Sequence, residues 1–335
     1  MPMSRICMIG GAGFIGRHVA ERLVRDQHTL VIPTRRRERA KADLITLPTV
    51  DLVQADVHDD ATLDHLFVRC DVVINLAGTL HSRTAYPYGP QFASTHVELV
   101  KRIVAACGRQ GVPRLIQMSA LGARPDASSE YLRSKGDGEA VALAAPLAVT
   151  VFQPSVVFGP GDSFLNLFAQ LQRALPVMLL GMPAAKLQPV YVDDVARAVA
   201  ASVVDEAAAG QNDSHADPPV HPGVHPHVYP LVGPRVYTLR ELVRYAGEQA
   251  GCARPIIGLG RGMALMQARV LELLPGRLMS RDNVRSLQTD SVSSVPLPFG
   301  ITATPLEAVA PGYLAGGSPR TRYDRYRRRA GRAFE

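Results

Sequence analysis

The sequence predicts an α/β protein built on a doubly wound parallel sheet with a small C-terminal region, and three observations predict it. Short apolar runs alternate with segments of helical periodicity through the first half of the chain. The first of these runs, from Ile6 to Ile9, ends in Gly10, Gly13 and Gly16 at three-residue spacing, which describes a strand, a tight turn and a helix start. With 47% apolar residues over 335 positions the chain can bury a large core, yet no apolar run reaches the roughly 20 residues that cross a bilayer.

At the glycine turn, Gly10 allows the chain to reverse, Gly13 lets a ligand approach the backbone, and Gly16 lets the helix lie close on the strand. Phe14 and Ile15 open a helix whose free N–H groups and positive dipole end suit a pyrophosphate. Periodicity predicts that helix from Phe14 to Asp26 and a second strand from His28 to Thr34. A site for the ribose of NAD usually places an acid at the end of this strand, whereas Thr34, Arg35 and Arg36 stand here. Guanidinium groups bind phosphate in bidentate fashion and an acid repels it, so NADP(H) is favoured over NAD(H).

A third strand is expected from Leu52 to Val57, ending in Asp56 and Val57. A fourth, from Asp71 to Leu76, runs into Ala77 and Gly78. Ligands of a doubly wound sheet lie beyond the carboxyl ends of its strands, so both ends are expected to line the cofactor. The segment from Thr79 to Gln91 is long for a simple connection and could close over a ligand. Val97, Val100, Ile103, Val104 and Cys107 then mark a helix from Phe92 to Arg109, and Leu115 to Ser119 reads as the fifth strand.

Tyr131 and Lys135 follow, four residues apart, so a helix places phenol and ammonium on one face. Transfer of hydride to a carbonyl needs a proton donor, and a phenol serves at neutral pH when a nearby cation lowers its pKa. Lys135 is the candidate cation, and it also stands within reach of a nicotinamide ribose. Ser119, at the end of the fifth strand, is the candidate to hydrogen-bond the substrate oxygen.

The glycine turn, Asp56-Val57, Asn75-Leu76-Ala77-Gly78 and Tyr131 to Lys135 together resemble the extended and atypical short-chain dehydrogenases/reductases, the NAD-dependent epimerase/dehydratase superfamily. Gln153 to Asp162 and Gln188 to Ala196 continue the likeness. Phe164 to Phe168, Val236 to Leu242 and Arg281 to Leu287 are similar to bacterial relatives of the nucleotide-binding accessory subunit of mitochondrial respiratory complex I, a branch near ubiquinone biosynthesis.

That resemblance implies a Rossmann domain with a small substrate region, catalytic roles for Tyr131, Lys135 and Ser119, and cofactor contacts from Pro154 and Val156. Three departures stand out. Gln117-Met118-Ser119-Ala120 holds one hydroxyl where many relatives have a run, so the active position is either Ser119 or that of Ala120. The gap from Ser119 to Tyr131 is short, and His96 occupies the place of a helix Asn that supports a proton relay. Gly136 and Gly138 weaken the Tyr131 helix by roughly 1 kcal/mol each, or allow another backbone or the cofactor to approach.

The expected organisation is a Rossmann core over 1–160, a substrate region over 161–316 interleaved with the last sheet elements, and a basic tail over 317–335. Prolines and four histidines between Gln211 and His227 suggest a disordered insertion, and no metal site is expected there. The four cysteines, in or beside apolar segments, read as buried thiols. Met263 to Leu274 reads as an apolar helix, either core or an exposed docking surface. Most of the formal charge of +7 sits in the tail, where seven Arg between Arg320 and Arg332 face Asp324 alone. Nucleic acid is therefore not an expected partner, whereas an anionic membrane is compatible. The chain start carries no secretory pattern, so the expected place is the cytoplasm or the cytoplasmic face of the inner membrane.

Two functions are in view. One is an NADP(H)-dependent oxidoreductase or epimerase acting on a small-molecule or quinone-related substrate. The alternative is an accessory subunit that holds NADPH without turnover on a respiratory or quinone-forming complex.

Overall fold

Apolar runs of four to six residues bounded by glycine or polar turns become the strands of a central sheet. The computed structural model describes residues 3–204, 228–272 and 279–315. The histidine-rich tract 211–227, the basic tail 317–335 and the last residues of the Met263–Leu274 segment lie outside the described residues. The chain divides into two units. The first comprises the described residues of Met1–Ser155, Val192–Val232 and Ser293–Thr302, and the second those of Val156–Tyr191, Gly233–Val292 and Ala303–Glu335. Chain therefore enters the second unit at Val156 rather than after residue 160 and returns to the first at Val192.

In chain order the first unit holds β1 (Arg5–Ile9), α1 (Phe14–Arg25), β2 (Thr29–Thr34), α2 (Arg37–Leu44), β3 (Val50–Gln54), α3 (Asp60–Phe67) and β4 (Val72–Asn75). One long helical stretch follows: α4 (Pro90–Phe92), a single π-helical turn (Ala93–Glu98) and α5 (Leu99–Gln110). Gly111, left-handed at φ +66°, ends it. Then come β5 (Arg114–Met118), α6 (Glu130–Leu143) and β6 (Ala148–Pro154). After an excursion into the second unit the chain returns to add α8 (Val192–Val204) and β11 (Val228–Leu231).

The seven strands lie in the order β11-β6-β5-β4-β1-β2-β3. Every neighbouring pair is parallel. The order reverses between β1 and β4, and such a switch point opens a crevice beyond the strand ends. Buried on both faces, β1, β4 and β5 read as nearly unbroken apolar runs, as parallel strands do. On one face Leu63, Leu66 and Phe67 of α3 pack with Leu99, Val100, Ile103 and Cys107 of α5. Cys7, Cys70 and Cys107 are buried free thiols, and Cys252 is a partly buried one. Strand β3 stops at Gln54, short of the expected Val57, because the Asp56 carboxylate accepts the His58 N–H (3.1 Å) and turns the chain.

The second unit contains β7 (Val157–Phe158), α7 (Leu165–Ala174), β8 (Met178–Gly181), β9 (Lys186–Leu187) and β10 (Val190–Tyr191). Here α8 (Val192–Val204) and β11 (Val228–Leu231) return to the first unit. The second unit resumes with β12 (Tyr237–Thr238), α9 (Leu239–Gln249), β13 (Ile256–Leu259), α10 (Arg261–Leu271), α11 (Arg281–Ser286) and α12 (Leu306–Leu314). Its strands pair only in twos, β7 with β10, β9 with β12 and β8 with β13. Its core is mainly helical, with Leu165 and Ala169 packed among Leu242, Val243 and Ala246 and against Leu306 and Ala310. The Asp162 carboxylate starts α7 by accepting the N–H groups of Phe164 (2.9 Å) and Leu165 (2.7 Å), and Tyr313 donates its hydroxyl to the same group (2.7 Å).

Helix α10 covers the expected apolar segment from Met263 to Leu271 and buries only Ala264 and Ala268. Met263, Met266 and Val270 are exposed, as are Leu179 on β8 and Ile257 opposite it on β13. The segment is thus not purely core. Among the described residues no helix is long and apolar enough to cross a membrane.

Candidate functional site

The site is built where β1, β4 and β5 end. Gly10 adopts φ +80°, and a Cβ there would come within 2.9 Å of both the Ala77 nitrogen and the Leu76 carbonyl carbon. Only glycine therefore lets the turn after β1 lie against the segment after β4. A Cβ on Gly16 would overlap the carbonyl oxygens of Gly10 and Gly11, so that glycine seats α1 on the turn. Gly13 caps α1 without a side-chain acceptor, and the first turn carries no acid. The opening N–H groups of Phe14, Ile15 and Gly16 have no intrahelical acceptor and suit an anion.

At the end of β2, the Thr34 hydroxyl accepts the Arg36 N–H at 3.3 Å, and the side chains of Arg35 and Arg36 are exposed. Arg37, next in the run, is engaged, its guanidinium donating to the Leu52 carbonyl at 2.9 Å. Asp56 is exposed and Val57 is half-buried against the core. Leu76 and Ala77 form one wall of the turn, with Ala77 N–H donating to the Asn75 side chain at 3.1 Å. Pro154 is buried at the end of β6, and Val156 belongs to the second unit.

Helix α6 brings up Tyr131 and Lys135. Ser129 caps it by accepting the Leu132 N–H. Lys135 is buried and its ammonium donates to the Met118 carbonyl at 3.1 Å, beside Ser119. A Cβ on Gly78 would lie 3.5 Å from the same nitrogen. Tyr131 packs against the cluster of Ala120, Ala127 and Leu132. Lys135, Ser119 and the Leu76–Gly78 segment are therefore brought together at the ends of β4 and β5. Ser119 is only 4% exposed, and its hydroxyl has no hydrogen-bond partner among the described residues. A buried hydroxyl left this way has bonding capacity free for a water or a ligand.

Burial sets the titration of this site. It pushes the Tyr131 phenol up to about 12 and pulls the Lys135 ammonium down to about 8, the latter opposed by Glu139. The expected lowering of the phenol by Lys135 is not what the structure has. The ammonium is held by a carbonyl and desolvation dominates the phenol.

Sequence reading missed the supports of α6. Glu130, buried, accepts the N–H groups of Ala85 (3.2 Å) and Gly89 (3.0 Å), and Arg133 donates twice to the Pro87 carbonyl (3.0 and 2.7 Å). The long loop after β4 is thereby fastened to the helix bearing Tyr131. Gly136 and Gly138 serve close approach: a Cβ on Gly136 would overlap the Arg124 backbone, and one on Gly138 the His96 carbonyl. Their neighbours in space are distant in sequence, so no local spacing announces them.

Comparison with known proteins adds to this geometry. The model of the NAD dependent epimerase/dehydratase family matches residues 6–214. The mitochondrial NADH dehydrogenase (ubiquinone) 1 alpha subcomplex subunit 9 of Mus musculus is 30% identical over 71% of this chain and 59% of its own length. The ceramide reductase of Caulobacter vibrioides is 29% identical over 57% of this chain and 58% of its own. The chain spans between half and three-fifths of the length of the first of these curated relatives, 50% of the Arabidopsis thaliana subunit and 59% of the mouse one. Among solved structures, MoeE5 in complex with UDP-glucuronic acid and NAD superposes with a TM-score of 0.65 at 20% identity, covering 93% of this chain and 96% of that one. That is a likeness of fold.

Proposed function

Since the chain belongs to the NAD dependent epimerase/dehydratase family, we propose that it holds a nicotinamide dinucleotide on the Gly10–Gly16 turn and works as an oxidoreductase or epimerase. The observation that carries the reading is the pairing of a turn only glycine can form, at the switch point of the sheet, with the unpartnered Ser119 hydroxyl beside Lys135. When bound, the dinucleotide supplies or accepts the hydride. Phe14, Ile15 and Gly16 would offer N–H groups to its pyrophosphate. Arg35 and Arg36, with no acid beside them, favour a 2′-phosphate and hence NADP(H).

At the reacting end, Ser119 donates its hydroxyl hydrogen to the substrate oxygen. Tyr131, neutral at physiological pH, delivers the proton that a reduced carbonyl requires and takes it back in the reverse direction. Lys135, held by the Met118 carbonyl, offers its remaining donors to the nicotinamide ribose. Fluorescence titration with NADPH and NADH tests this reading. NADPH should bind more tightly, and replacing Arg35 and Arg36 with Ala should weaken it about tenfold or more while sparing NADH. Equal affinity for both dinucleotides would remove the 2′-phosphate assignment.

The exposed apolar side chains Leu179, Ile257, Met263, Met266 and Val270 favour a second reading, an accessory subunit docked on a membrane assembly. Relatives named as complex I subunits support it. Affinity capture from detergent-solubilised membranes checks it, with enrichment of respiratory or quinone-forming components as the expected result.

A further inference from the structure

His96 lies in the π-helical turn between α4 and α5, is buried, and touches neither the glycine turn nor Ser119 in any bond described above. Its Nε2 accepts the Thr79 backbone N–H at 3.1 Å. A backbone amide can only donate, so Nε2 carries no proton and the neutral ring must carry its hydrogen on Nδ1. Nδ1 lies 2.8 Å from the Ser134 hydroxyl oxygen, which must therefore accept. The Ser134 hydroxyl hydrogen then goes to the Tyr131 carbonyl oxygen, 2.8 Å away. One direction runs through the whole chain of bonds, from Thr79 through His96 and Ser134 to the backbone of Tyr131.

The ring is fixed as well as bonded. It stacks on Phe92 with centroids 5.5 Å apart and meets the edge of Tyr131 at 5.6 Å, and Phe92 and Tyr131 are themselves 6.0 Å apart. Ser134 and Gly138 share one face of α6, and both meet His96, the first through the imidazole and the second through the space a Cβ would take from the His96 carbonyl. Burial and the Lys135 charge keep the imidazole neutral.

We propose that His96 is a positioning residue, a single-tautomer imidazole that ties the segment after β4 to α6 and thereby sets Tyr131 and Lys135 against the cofactor turn. The proposal deepens the dinucleotide reading and rests on it. Two measurements test it. In imidazole nitrogen NMR of the full chain, His96 shows a protonated Nδ1 and a bare Nε2 from about pH 5 to about pH 8. A proton on Nε2, or an imidazolium within that range, overturns the proposal.

The second is a double-mutant cycle read by NADPH titration. Ser134→Ala in the unaltered chain weakens NADPH about threefold to tenfold, the loss of one buried hydrogen bond. His96→Gln keeps an acceptor for Thr79 and loses the donor to Ser134, so in that background Ser134→Ala costs less than about twofold. Additive losses, the mark of independent packing, overturn the coupling. Should the unaltered chain bind neither NADPH nor NADH, the dinucleotide reading falls, and the tautomer alone then upholds or overturns the bond network around His96.

Discussion

The crevice end of the first unit and the β8–β13–α10 face of the second treat their side chains in opposite ways. At the ends of β4 and β5, polar groups are buried and almost all are paired: Asn75 with Gln117, Lys135 with Met118, His96 with Thr79 and Ser134. The Ser119 hydroxyl stands out there by having no partner among the described residues. On the second face, large apolar side chains stand in solvent, with Met266 64% exposed and Ile257 53%. Buried polar groups fix geometry because leaving one unmade is costly, whereas exposed apolar groups cost the folded chain little until something covers them. The first region is constrained from within, and the second leaves its apolar side chains exposed.

The sharpest way to break that contrast is Gly138→Ala. With the His96 carbonyl occupying the space of the new methyl, α6 must move, and stability to urea should fall by about 3 kcal/mol or more. A loss below about 1 kcal/mol would mean that the π-helical turn yields freely.

Acid should expose the same network. The folded-state pKa of His96, lowered to about 2 from its ordinary 6.5 by burial and then by Lys135, means that below pH 6.5 the unfolded chain binds the proton and the folded chain does not. Stability from this group is complete above pH 6.5 and is lost as pH falls, by about 1.4 kcal/mol per unit, or about 2 kcal/mol at pH 5. His28, lowered by burial as well, adds in the same direction. Urea titrations of the unaltered chain and His96→Gln, compared at neutral and acid pH, should show a flatter acid limb in the variant.

Lys135 acts with the same sign in a more alkaline window. Its pKa is depressed to about 8, so the unfolded chain holds more protons between pH 8 and the ordinary 10.5, and stability rises with pH across that window. At neutral pH the buried ammonium is a cost of up to about 3 kcal/mol, partly offset by its bond to Met118. Lys135→Met should leave thermal stability at neutral pH unchanged or higher while NADPH affinity drops. Loss of both together would make Lys135 a structural residue.

The gentlest change belongs to the exposed face. Replacing Met263, Met266 and Val270 with Ser should alter stability by less than about 0.5 kcal/mol each, since each side chain is more than half exposed. Capture of membrane components should fall sharply. A large stability loss would show that the face is folded against something already.

What could be read from the chain follows from range. The strand, turn and helix at Gly10 to Gly16 are written within a dozen residues, and the Tyr131–Lys135 pair on α6 within five, so both are legible locally, the pair through its place behind the glycine turn and the five-strand pattern. The strands β7, β9, β10 and β12 are two residues long and leave no periodicity to detect. The bonds from His96 to Ser134, and from Glu130 to Ala85 and Gly89, span some forty positions, and only the folded sheet brings their partners together. The upward shift of the Tyr131 phenol by burial is illegible for the same reason. Spacing on a helix shows which groups share a face, but not how dry that face is.

Gly136 and Gly138 carry one more consequence, for the order in which the molecule assembles. They sit in the middle of a helix of 14 residues, where each costs about 1 kcal/mol of intrinsic helix stability, and isolated helices of that length are marginal to begin with. The segment that bears Tyr131 and Lys135 therefore has little tendency to wind by itself. It becomes a helix by settling onto the backbones of Arg124 and His96, so it should be among the last elements to gain hydrogen-exchange protection during refolding.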